Sequence, residues 1–372
     1  MTTNANIFAK RRDKLNSILE QQGLDAIALN AGPAQTYFTD LHFHLMERPV
    51  VVFLAPKQDP VIVLPDFEKA KTDVMKGLRV VTYGEDPTKW QDSFNQGAKL
   101  LGNLNRIGVE GLRMRVMELR YLETAFPTAK FEQAESLLGQ LRMHKDEAEI
   151  ASMQRAVEIA EGALEATIAK VKVGMTEREV SGILIQQLYA NGCDPELPFL
   201  PIIAAGANSA NPHATVSDRK ILKGDLLLFD WGASVDGYFS DLTRTFAIGE
   251  VEPEFKRIYE VVKLANQAGR DAAKPGAPCS SVDDGAREAI EDSGYGKYFT
   301  HRTGHGLGLE AHEEPYMRAG NSMILEPGMT FTVEPGIYLD GRGGVRIEDN
   351  VVITHSGART LSSFPRELRV IG

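Results

Sequence analysis

The chain has 372 residues, of which 43% are hydrophobic and 25% are charged, and its net charge at pH 7 is −10. This length favours two domains, and an acidic chain whose only basic run is Lys10-Arg11-Arg12 is not expected to bind nucleic acid. No apolar run is long enough to span a bilayer, and the N-terminal segment lacks an apolar core, so we expect neither a membrane span nor a signal peptide.

The first 132 residues are predicted to form a smaller α/β domain. An amphipathic helix is expected over residues 7–22, and short apolar runs then alternate with helical stretches, a pattern typical of a mixed sheet with helices. Tyr37, Phe38, His42, His44 and Arg48 form an aromatic and polar cluster. We predict a loop that packs on the sheet, and the alternative is a segment that closes over a functional site of this chain or of a neighbouring subunit. The predicted strands lie at 26–29, 50–54, 61–64, 80–81 and 107–109, and the later helices lie at about 66–76, 90–102 and 115–124.

A boundary is expected between residues 132 and 141, so residues 141–372 form the second, larger domain. Thr176 and Glu179 have the spacing of a helix capping box, and Asn191-Gly192 is a typical helix end. The predicted helices of this domain lie at about 146–170, 176–191, 253–274 and 280–292.

The chain contains two cysteines, Cys193 and Cys279, which are far apart and lack the spacing of a metal or redox motif. A reducing cytoplasm is the simplest interpretation of so few cysteines. Nothing in the sequence marks either thiol as a nucleophile, so we expect both to be buried.

Asp230 and Asp241 flank a predicted β-hairpin with turn residues at 234–237. We predict a four-residue loop, which places Asp230 directly opposite Asp241, with Cβ atoms roughly 5 Å apart. A two-residue turn at Asp236-Gly237 would instead pair Asp230 with Thr243.

Glu334 and Glu348 end two further strand patterns that surround a glycine-rich turn. A hairpin centred on that turn places the two carboxylates opposite each other. The alternation of side chains along a strand puts Arg346 on the same face as Glu348, and it directs Val345 and Ile347 into the packing on the other face.

His305 lies between Gly304 and Gly306, which permit close backbone approach to a site. His312 follows seven residues later and is expected in the same cavity. Four carboxylates in one packed site repel each other unless they are paired or hold metal, and four carboxylates with one imidazole suit two divalent cations. The five candidate ligands are Asp230, Asp241, His305, Glu334 and Glu348.

In the identity and order of these ligands, the chain from about Leu141 onward resembles the M24 metallopeptidases, and most closely their branch of Xaa-Pro dipeptidases (prolidases) and Xaa-Pro aminopeptidases. The resemblance implies an α+β architecture, with a pita-bread catalytic domain after a smaller creatinase-like α/β domain. It implies hydrolysis of the Xaa-Pro bond of short proline-containing peptides. It also implies two divalent cations, Mn being expected and Co, Zn or Fe being alternatives, and a homodimer, as in many relatives.

By the same resemblance, Asp230 binds one cation, Asp241 and Glu348 bridge the two cations, and His305 and Glu334 complete the shell of the other. Two bound cations would lower the pKa of a bridging water and polarise the scissile carbonyl.

The resemblance also implies catalytic roles for four residues. Glu334 is the candidate general base, and His312 is expected to stabilise the developing oxyanion. His213 is expected to position the substrate near the scissile bond, and Arg346 to order the site.

One position departs from the pattern of several prolidases, in which an arginine after the second histidine grips the free carboxylate of a dipeptide. Tyr316 takes that place here, and Arg318 is a nearby substitute. The compact length favours a dipeptidase, whereas Tyr316 favours an Xaa-Pro aminopeptidase. A metal-free peptide-binding module and a creatinase-like hydrolase that works without metal are the remaining alternatives, and both conflict with five filled ligand positions.

Overall fold

The computed structural model describes residues 4–372, with side chains described from residue 7 onward. The chain divides into two compact units, Met1–Arg142 and Met143–Gly372. Within the described residues, no helix is both long enough and apolar enough to cross a membrane.

The first unit alternates helices and strands, as the sequence predicts. Its elements are α1 (Asn4–Gln22), β1 (Ala26–Asn30), α2 (Pro33–Thr39), β2 (Val51–Leu54), β3 (Val61–Pro65), a 3-10 helix (Asp66–Val74), β4 (Arg79–Tyr83), α3 (Trp90–Leu101), β5 (Arg106–Val109), α4 (Val116–Ala125), β6 (Lys130–Gln133) and α5 (Glu135–Met143).

The six strands described in this unit form one mixed sheet in the order β4-β3-β2-β1-β5-β6. The pairs β1–β2 and β2–β3 are antiparallel, whereas β3–β4, β1–β5 and β5–β6 are parallel. The buried face of α3 carries Phe94, which joins Phe53 and Leu122 in one hydrophobic cluster. The sheet is therefore held by packing of helices on its apolar strands.

The loop predicted around Tyr37 is only partly confirmed, because residues 40–50 form no helix or strand, whereas Tyr37 and Phe38 lie in the short helix α2. Pro33 occupies the start of this helix, where its fixed φ suits the first turn and its missing N–H is not needed. Both rings are buried, and the Tyr37 hydroxyl donates to the carbonyl of Leu141 at 2.9 Å. The aromatic pair thus belongs to the core of the first unit.

The second unit combines four long helices with short strands. Its elements are α6 (Glu147–Ile168), α7 (Glu177–Ala190), β7 (Ile202–Ala205), β8 (Leu226–Trp231), β9 (Ser234–Val235), β10 (Tyr238–Phe239), β11 (Leu242–Ile248), α8 (Pro253–Ala272), α9 (Ser280–Asp292), β12 (Gly304–Gly306), β13 (Glu313–Met317), β14 (Thr330–Val333), β15 (Gly336–Leu339), β16 (Gly343–Arg346), β17 (Asp349–Thr354), β18 (Gly357–Thr360) and β19 (Val370–Ile371).

Two larger sheets organise this unit, with strand orders β19-β11-β8-β7 and β13-β12-β14-β17-β18. The pairs β8–β11, β12–β14 and β14–β17 are antiparallel.

The capping box predicted at the start of α7 is confirmed, because Glu179 N–H donates to Thr176 Oγ1 at 3.1 Å and Thr176 N–H donates to Glu179 Oε2 at 2.7 Å.

The register predicted for the first acidic hairpin is wrong. Asp230 pairs with Thr243, and the same register continues through β9 and β10 to a two-residue turn at Asp236-Gly237. Both turn residues have positive φ, 53° and 77°, which matches the type I′ turn that the right-handed twist of a hairpin favours. Asp241 therefore lies two residues before Thr243 on the same face, as a diagonal neighbour of Asp230.

The register predicted for the second acidic hairpin is confirmed. Val333 pairs with Asp349 on one side of the two glutamates, and Gly336 pairs with Arg346 on the other side in the same register. This register sets Glu334 opposite Glu348. The predicted inward direction of Val345 and Ile347 is also confirmed, since both belong to a buried apolar cluster.

A buried ionic network supports the strand that follows Glu348. Asp349 is fully buried and accepts from Arg244 Nη2 at 2.8 Å and from Arg366 Nε at 2.7 Å. Burial alone would raise the pKa of Asp349, but Arg244 and Arg366 outweigh it and hold that pKa below its usual range. Arg244 also donates to the Glu348 carbonyl at 2.6 Å, so the network fixes the backbone of a candidate ligand.

We expect Asp349→Ala to lower the free energy of unfolding by about 3–5 kcal/mol, because it leaves the buried Arg244 guanidinium uncompensated. Urea unfolding of the metal-free protein measures this change. The matched control is Asp218→Ala, which removes an exposed partner of Arg178 and is expected to leave the stability close to that of the wild type.

Because the pKa of Asp349 is lowered in the folded state, its contribution is present above the unfolded-state pKa of about 4 and is lost as the pH falls below it. The stability difference between the wild type and Asp349→Ala should therefore shrink in acid. An equal loss in both Asp variants, or a difference that grows in acid, would contradict this account.

Candidate metal centre

The structure brings the five predicted ligands together. Three of them are buried and each offers one ligand atom, and these three atoms lie within 4.8 Å of one another: Asp241, His305 and Glu348. His305 Nε2 lies 3.2 Å from Glu334 Oε1 and 3.7 Å from Asp241 Oδ2. Asp230 joins the cluster through its position beside Asp241 on the β8–β11 hairpin.

The local backbone fixes the orientation of His305. Its Nδ1 lies 3.1 Å from the carbonyl oxygen of Gly306, and a carbonyl can only accept, so Nδ1 carries a proton. Nε2 is therefore the ring nitrogen that faces the carboxylates, where it is placed to bind a metal. A Cβ at Gly304 would lie 1.9 Å from the carbonyl oxygen of Thr332, which explains why the neighbouring residue is glycine.

The charges of the cluster require a counter-ion. Burial, followed by repulsion from neighbouring carboxylates, raises the pKa of Asp241 and of Glu348 well above the usual range. Burial also raises the pKa of Asp230, although Arg346 opposes the shift. Glu334 is the exception, because its bond to His305 overcomes burial and lowers its pKa to about 2. Four carboxylates at this spacing cannot all ionise without a compensating cation.

The donor set fits divalent cations. Asp230 Oδ1 is buried and has no hydrogen-bond partner within the described residues, which leaves one carboxylate oxygen available as a ligand. Oxygen-rich sites with one imidazole suit Mn²⁺, Fe²⁺, Co²⁺ or Zn²⁺. The cluster is therefore a candidate site for divalent metal.

Arg346 holds the cluster in place from the side. It is buried and donates to Asp230 Oδ2 at 2.6 Å, to Thr243 Oγ1 at 3.0 Å and to the Tyr338 hydroxyl at 3.0 Å. Its Nη1 also lies 3.4 Å from the carbonyl oxygen of Pro212. One guanidinium thus connects a candidate ligand with the segment that carries His213.

Three residues of the site escape prediction from the sequence. Thr243 donates to Glu348 Oε2 at 2.6 Å while it accepts from Arg346. Tyr338 bridges Arg346 and His301, whose Nε2 lies 2.9 Å from the Tyr338 hydroxyl. The correct hairpin register would have identified Thr243, whereas the pairing of Tyr338 with His301 depends on tertiary packing.

His312 and His213 lie at the more open side of the cluster. The rings of His312 and His305 have centroids 4.1 Å apart. Desolvation of its ring, with the nearby charges of His305 and Arg302, lowers the pKa of His312 to about 4, so the ring is neutral at neutral pH and keeps one N–H donor. His213 is exposed, and among the described residues its side chain makes no hydrogen bond.

Glu177 shapes the segment that carries His213. Its buried carboxylate accepts from Ala205 N–H at 2.8 Å, from Asn208 Nδ2 at 2.9 Å and from Ser217 N–H and Oγ at 3.0 and 2.7 Å. These donors lie on both sides of His213 in the chain. The Glu177 carboxylate therefore holds the two ends of this segment together.

We expect Glu177→Ala to lower the free energy of unfolding by about 3 kcal/mol, because several buried donors lose their charged acceptor. The matched control on the same helix is Glu179→Ala, which removes half of the capping box and should destabilise the protein clearly less, because Glu179 is exposed. Urea unfolding compares the two variants. Equal losses would contradict the role of Glu177 in closing the segment.

Comparison with known proteins places both units in one family. Residues 151–355 match the model of metallopeptidase family M24, and residues 11–144 match that of the creatinase/prolidase N-terminal domain. An "Xaa-Pro dipeptidase" of Lactobacillus delbrueckii subsp. lactis is 36% identical, and the match covers 96% of this chain and 98% of that protein.

Solved structures agree over nearly the full length. A recombinant prolidase from Thermococcus sibiricus superimposes with a TM-score of 0.93 at 33% identity, covering 98% of this chain and 99% of that one. An X-Pro aminopeptidase from Thermotoga maritima gives a TM-score of 0.86 at 30% identity, covering 97% and 99% of the two chains. The predicted α+β architecture, a creatinase-like domain before a pita-bread domain, is confirmed. The chain belongs to metallopeptidase family M24, in its Xaa-Pro dipeptidase branch.

Proposed function

We propose that this metallopeptidase hydrolyses Xaa-Pro dipeptides with the help of two divalent cations. The observation that carries the substrate class is the end-to-end match with relatives named Xaa-Pro dipeptidase or prolidase. The ligand cluster supports the reaction type but would serve other peptide bonds equally well. The two observations together favour a prolidase.

In this proposal, Asp230, Asp241, His305, Glu334 and Glu348 would hold the cations. Cations bound there supply Lewis acidity, which activates water and polarises the scissile carbonyl. We propose Mn²⁺ as the native metal, with Co²⁺, Zn²⁺ or Fe²⁺ as alternatives. Elemental analysis of protein purified without added metal identifies the ion.

The protein's own groups handle the protons and the orientation of the substrate. Glu334 is ionised at neutral pH and is the proposed general base, which takes a proton from the attacking water. His312 donates its N–H to the developing oxyanion. His213 positions the substrate, and the proline nitrogen leaves as a secondary amine.

Arg346 is proposed to act as a positioning residue rather than by contact with the substrate. Its bonds to Asp230 and Thr243 hold two sides of the ligand cluster at a fixed separation. Through Tyr338 it also connects the cluster to His301. This arrangement keeps the candidate ligands oriented before metal binds.

A second candidate function is Xaa-Pro aminopeptidase activity on longer peptides. The X-Pro aminopeptidase structure from Thermotoga maritima and the presence of Tyr316 both favour it. The two functions differ in the group on the carboxyl side of proline, which is a free carboxylate in a dipeptide and a peptide bond in a longer substrate.

Hydrolysis of an Xaa-Pro dipeptide and of an Xaa-Pro-Yaa tripeptide by the Mn²⁺-loaded protein tests the proposal. We expect kcat/KM to be at least about 10-fold higher for the dipeptide, since a buried charge pair contributes more than about 1.4 kcal/mol, and we expect a chelated sample to be inactive. A preference for the tripeptide would replace the dipeptidase by the aminopeptidase. Cleavage of neither peptide would refute the Xaa-Pro assignment.

We also propose a cytoplasmic homodimer. The cytoplasmic location is supported by two cysteines that are buried and unpaired. The proposal of a dimer rests only on the homodimers found among many relatives. Light scattering on the purified full chain measures the mass, and a value near that of one 40.9 kDa chain would refute the dimer.

A further inference from the structure

Arg302 lies in the chain beside the candidate ligand His305, and within the described residues it has no anionic partner. It directly follows His301 and stands two residues before the strand β12, which carries His305. Its side chain is half-buried. Within the described residues it makes neither an ion pair nor a side-chain hydrogen bond, whereas nearby Arg287 pairs with Asp283 and Arg346 pairs with Asp230. Its hydrogen-bonding edge is therefore available to a ligand.

Tyr316 supports the guanidinium group of Arg302. The central carbon of that group lies 4.3 Å from the centre of the Tyr316 ring, a distance typical of a cation–π contact. The two residues meet because β12 and β13 are antiparallel, with Gly304 opposite Met317. Stacking restrains the planar guanidinium group and leaves its N–H groups free to bind a carboxylate through two parallel hydrogen bonds.

Arg302 also lies close to the reacting groups. It lies three residues before the candidate ligand His305, and the ring of His305 is in contact with that of His312. In the proposed mechanism His312 binds the developing oxyanion, so we expect the residue after the scissile bond to lie on this side of the ligand cluster. In a dipeptide that residue is proline, which ends in a free carboxylate.

We infer that Arg302, stacked on Tyr316, binds the free carboxylate of the proline residue in an Xaa-Pro dipeptide. This inference rests on the proposed function, and it names Arg302 as the group that limits the peptidase activity to dipeptides. Tyr316 does not replace the expected arginine but supports an arginine from the neighbouring strand. Arg318 is the weaker candidate, because it is exposed and its Nη1 donates to the adjacent Ala319 carbonyl.

A comparison of an Xaa-Pro dipeptide with its C-terminal amide tests the inference, because the amide differs only in lacking the negative charge. For the wild type we expect kcat/KM to be at least about 30-fold higher for the acid. In Arg302→Ala this ratio should fall to near 1, with the loss mainly in KM. Arg302→Lys should recover part of the ratio but lack the bidentate geometry.

Two further variants sharpen the test. Tyr316→Phe keeps the ring and should keep the ratio, whereas Tyr316→Leu removes the ring and should lower it. Arg318→Ala should leave the ratio as in the wild type. A collapse of the ratio in Arg318→Ala, or an unchanged ratio in a folded Arg302→Ala protein, would overturn the inference.

Calorimetric binding of the acid and of the amide separates this inference from the proposed function. Stronger binding of the acid that depends on Arg302 supports the carboxylate receptor whether or not the peptide is cleaved. Equal binding of acid and amide by the wild type overturns the receptor even in a protein that cleaves both. Absence of cleavage in the wild type refutes only the dipeptidase activity.

Discussion

Glu334→Gln is expected to lower kcat for Xaa-Pro hydrolysis by about 10²–10⁴-fold, because the amide keeps the shape of the side chain but cannot accept a proton. The loss of its charge also weakens the cluster around His305, whose Nε2 lies 3.2 Å from Glu334. The measurement is single-turnover hydrolysis in excess Mn²⁺, with bound metal determined on the same sample.

The matched control is Glu326→Gln, since Glu326 is an exposed glutamate outside the cluster. It should have the kinetics of the wild type. A Glu334→Gln protein that holds its full complement of metal and retains near wild-type kcat would refute the role of Glu334 as the base.

Asp241→Asn is expected to change stability in opposite directions with and without metal. In the metal-free protein, Asp241 is buried beside Glu348, Asp230 and Glu334, and its pKa is raised, so at neutral pH this carboxyl group is a cost to folding. The neutral amide removes that cost. We expect Tm to rise by roughly 2–4 °C, the shift that about 1 kcal/mol produces in a domain of this size.

With Mn²⁺ present, the same variant should lose most of the metal-induced rise in Tm and should bind fewer than two ions per chain, because one candidate ligand is missing. Asp236→Asn at the exposed hairpin turn is the control, and it should behave as the wild type in both states. A metal-free Asp241→Asn protein less stable than the wild type would contradict the account of repulsion within the cluster.

The sequence predicts the elements of the fold well where the pattern is local. Apolar runs, helix caps and glycine-rich turns predict the central strands of the first unit and the capping box at Thr176. The helix α2 is missed because its seven residues are too short for a clear period, and only Pro33 marks its start.

The two acidic hairpins show why one register was predictable and the other was not. Around Glu334 and Glu348 the turn is symmetric about a glycine, so only one pairing suits both strands. Around Asp230 and Asp241 two turns were compatible with the sequence, and the two-residue turn formed because Asp236-Gly237 suits positive φ at both positions. Both registers keep the two aspartates on one face, so the wrong choice did not alter the predicted ligand set.

The partners of the ligands depend on tertiary packing and could not be predicted. Thr243, Tyr338 and His301 come from three separate segments and meet only through Arg346. The contact between Arg302 and Tyr316 is of the same kind, since it depends on the pairing of β12 with β13. Spacing along the chain carries no information on such contacts.

The most direct test of the account is a titration of chelated protein with Mn²⁺ while hydrolysis of an Xaa-Pro dipeptide and bound metal are measured together. We expect no turnover at the start and a rise that reaches its plateau at two ions per chain, with no such rise in Asp241→Asn. Turnover by the chelated protein, or full binding of metal without cleavage of the Xaa-Pro bond, would contradict the proposed metal-dependent dipeptidase.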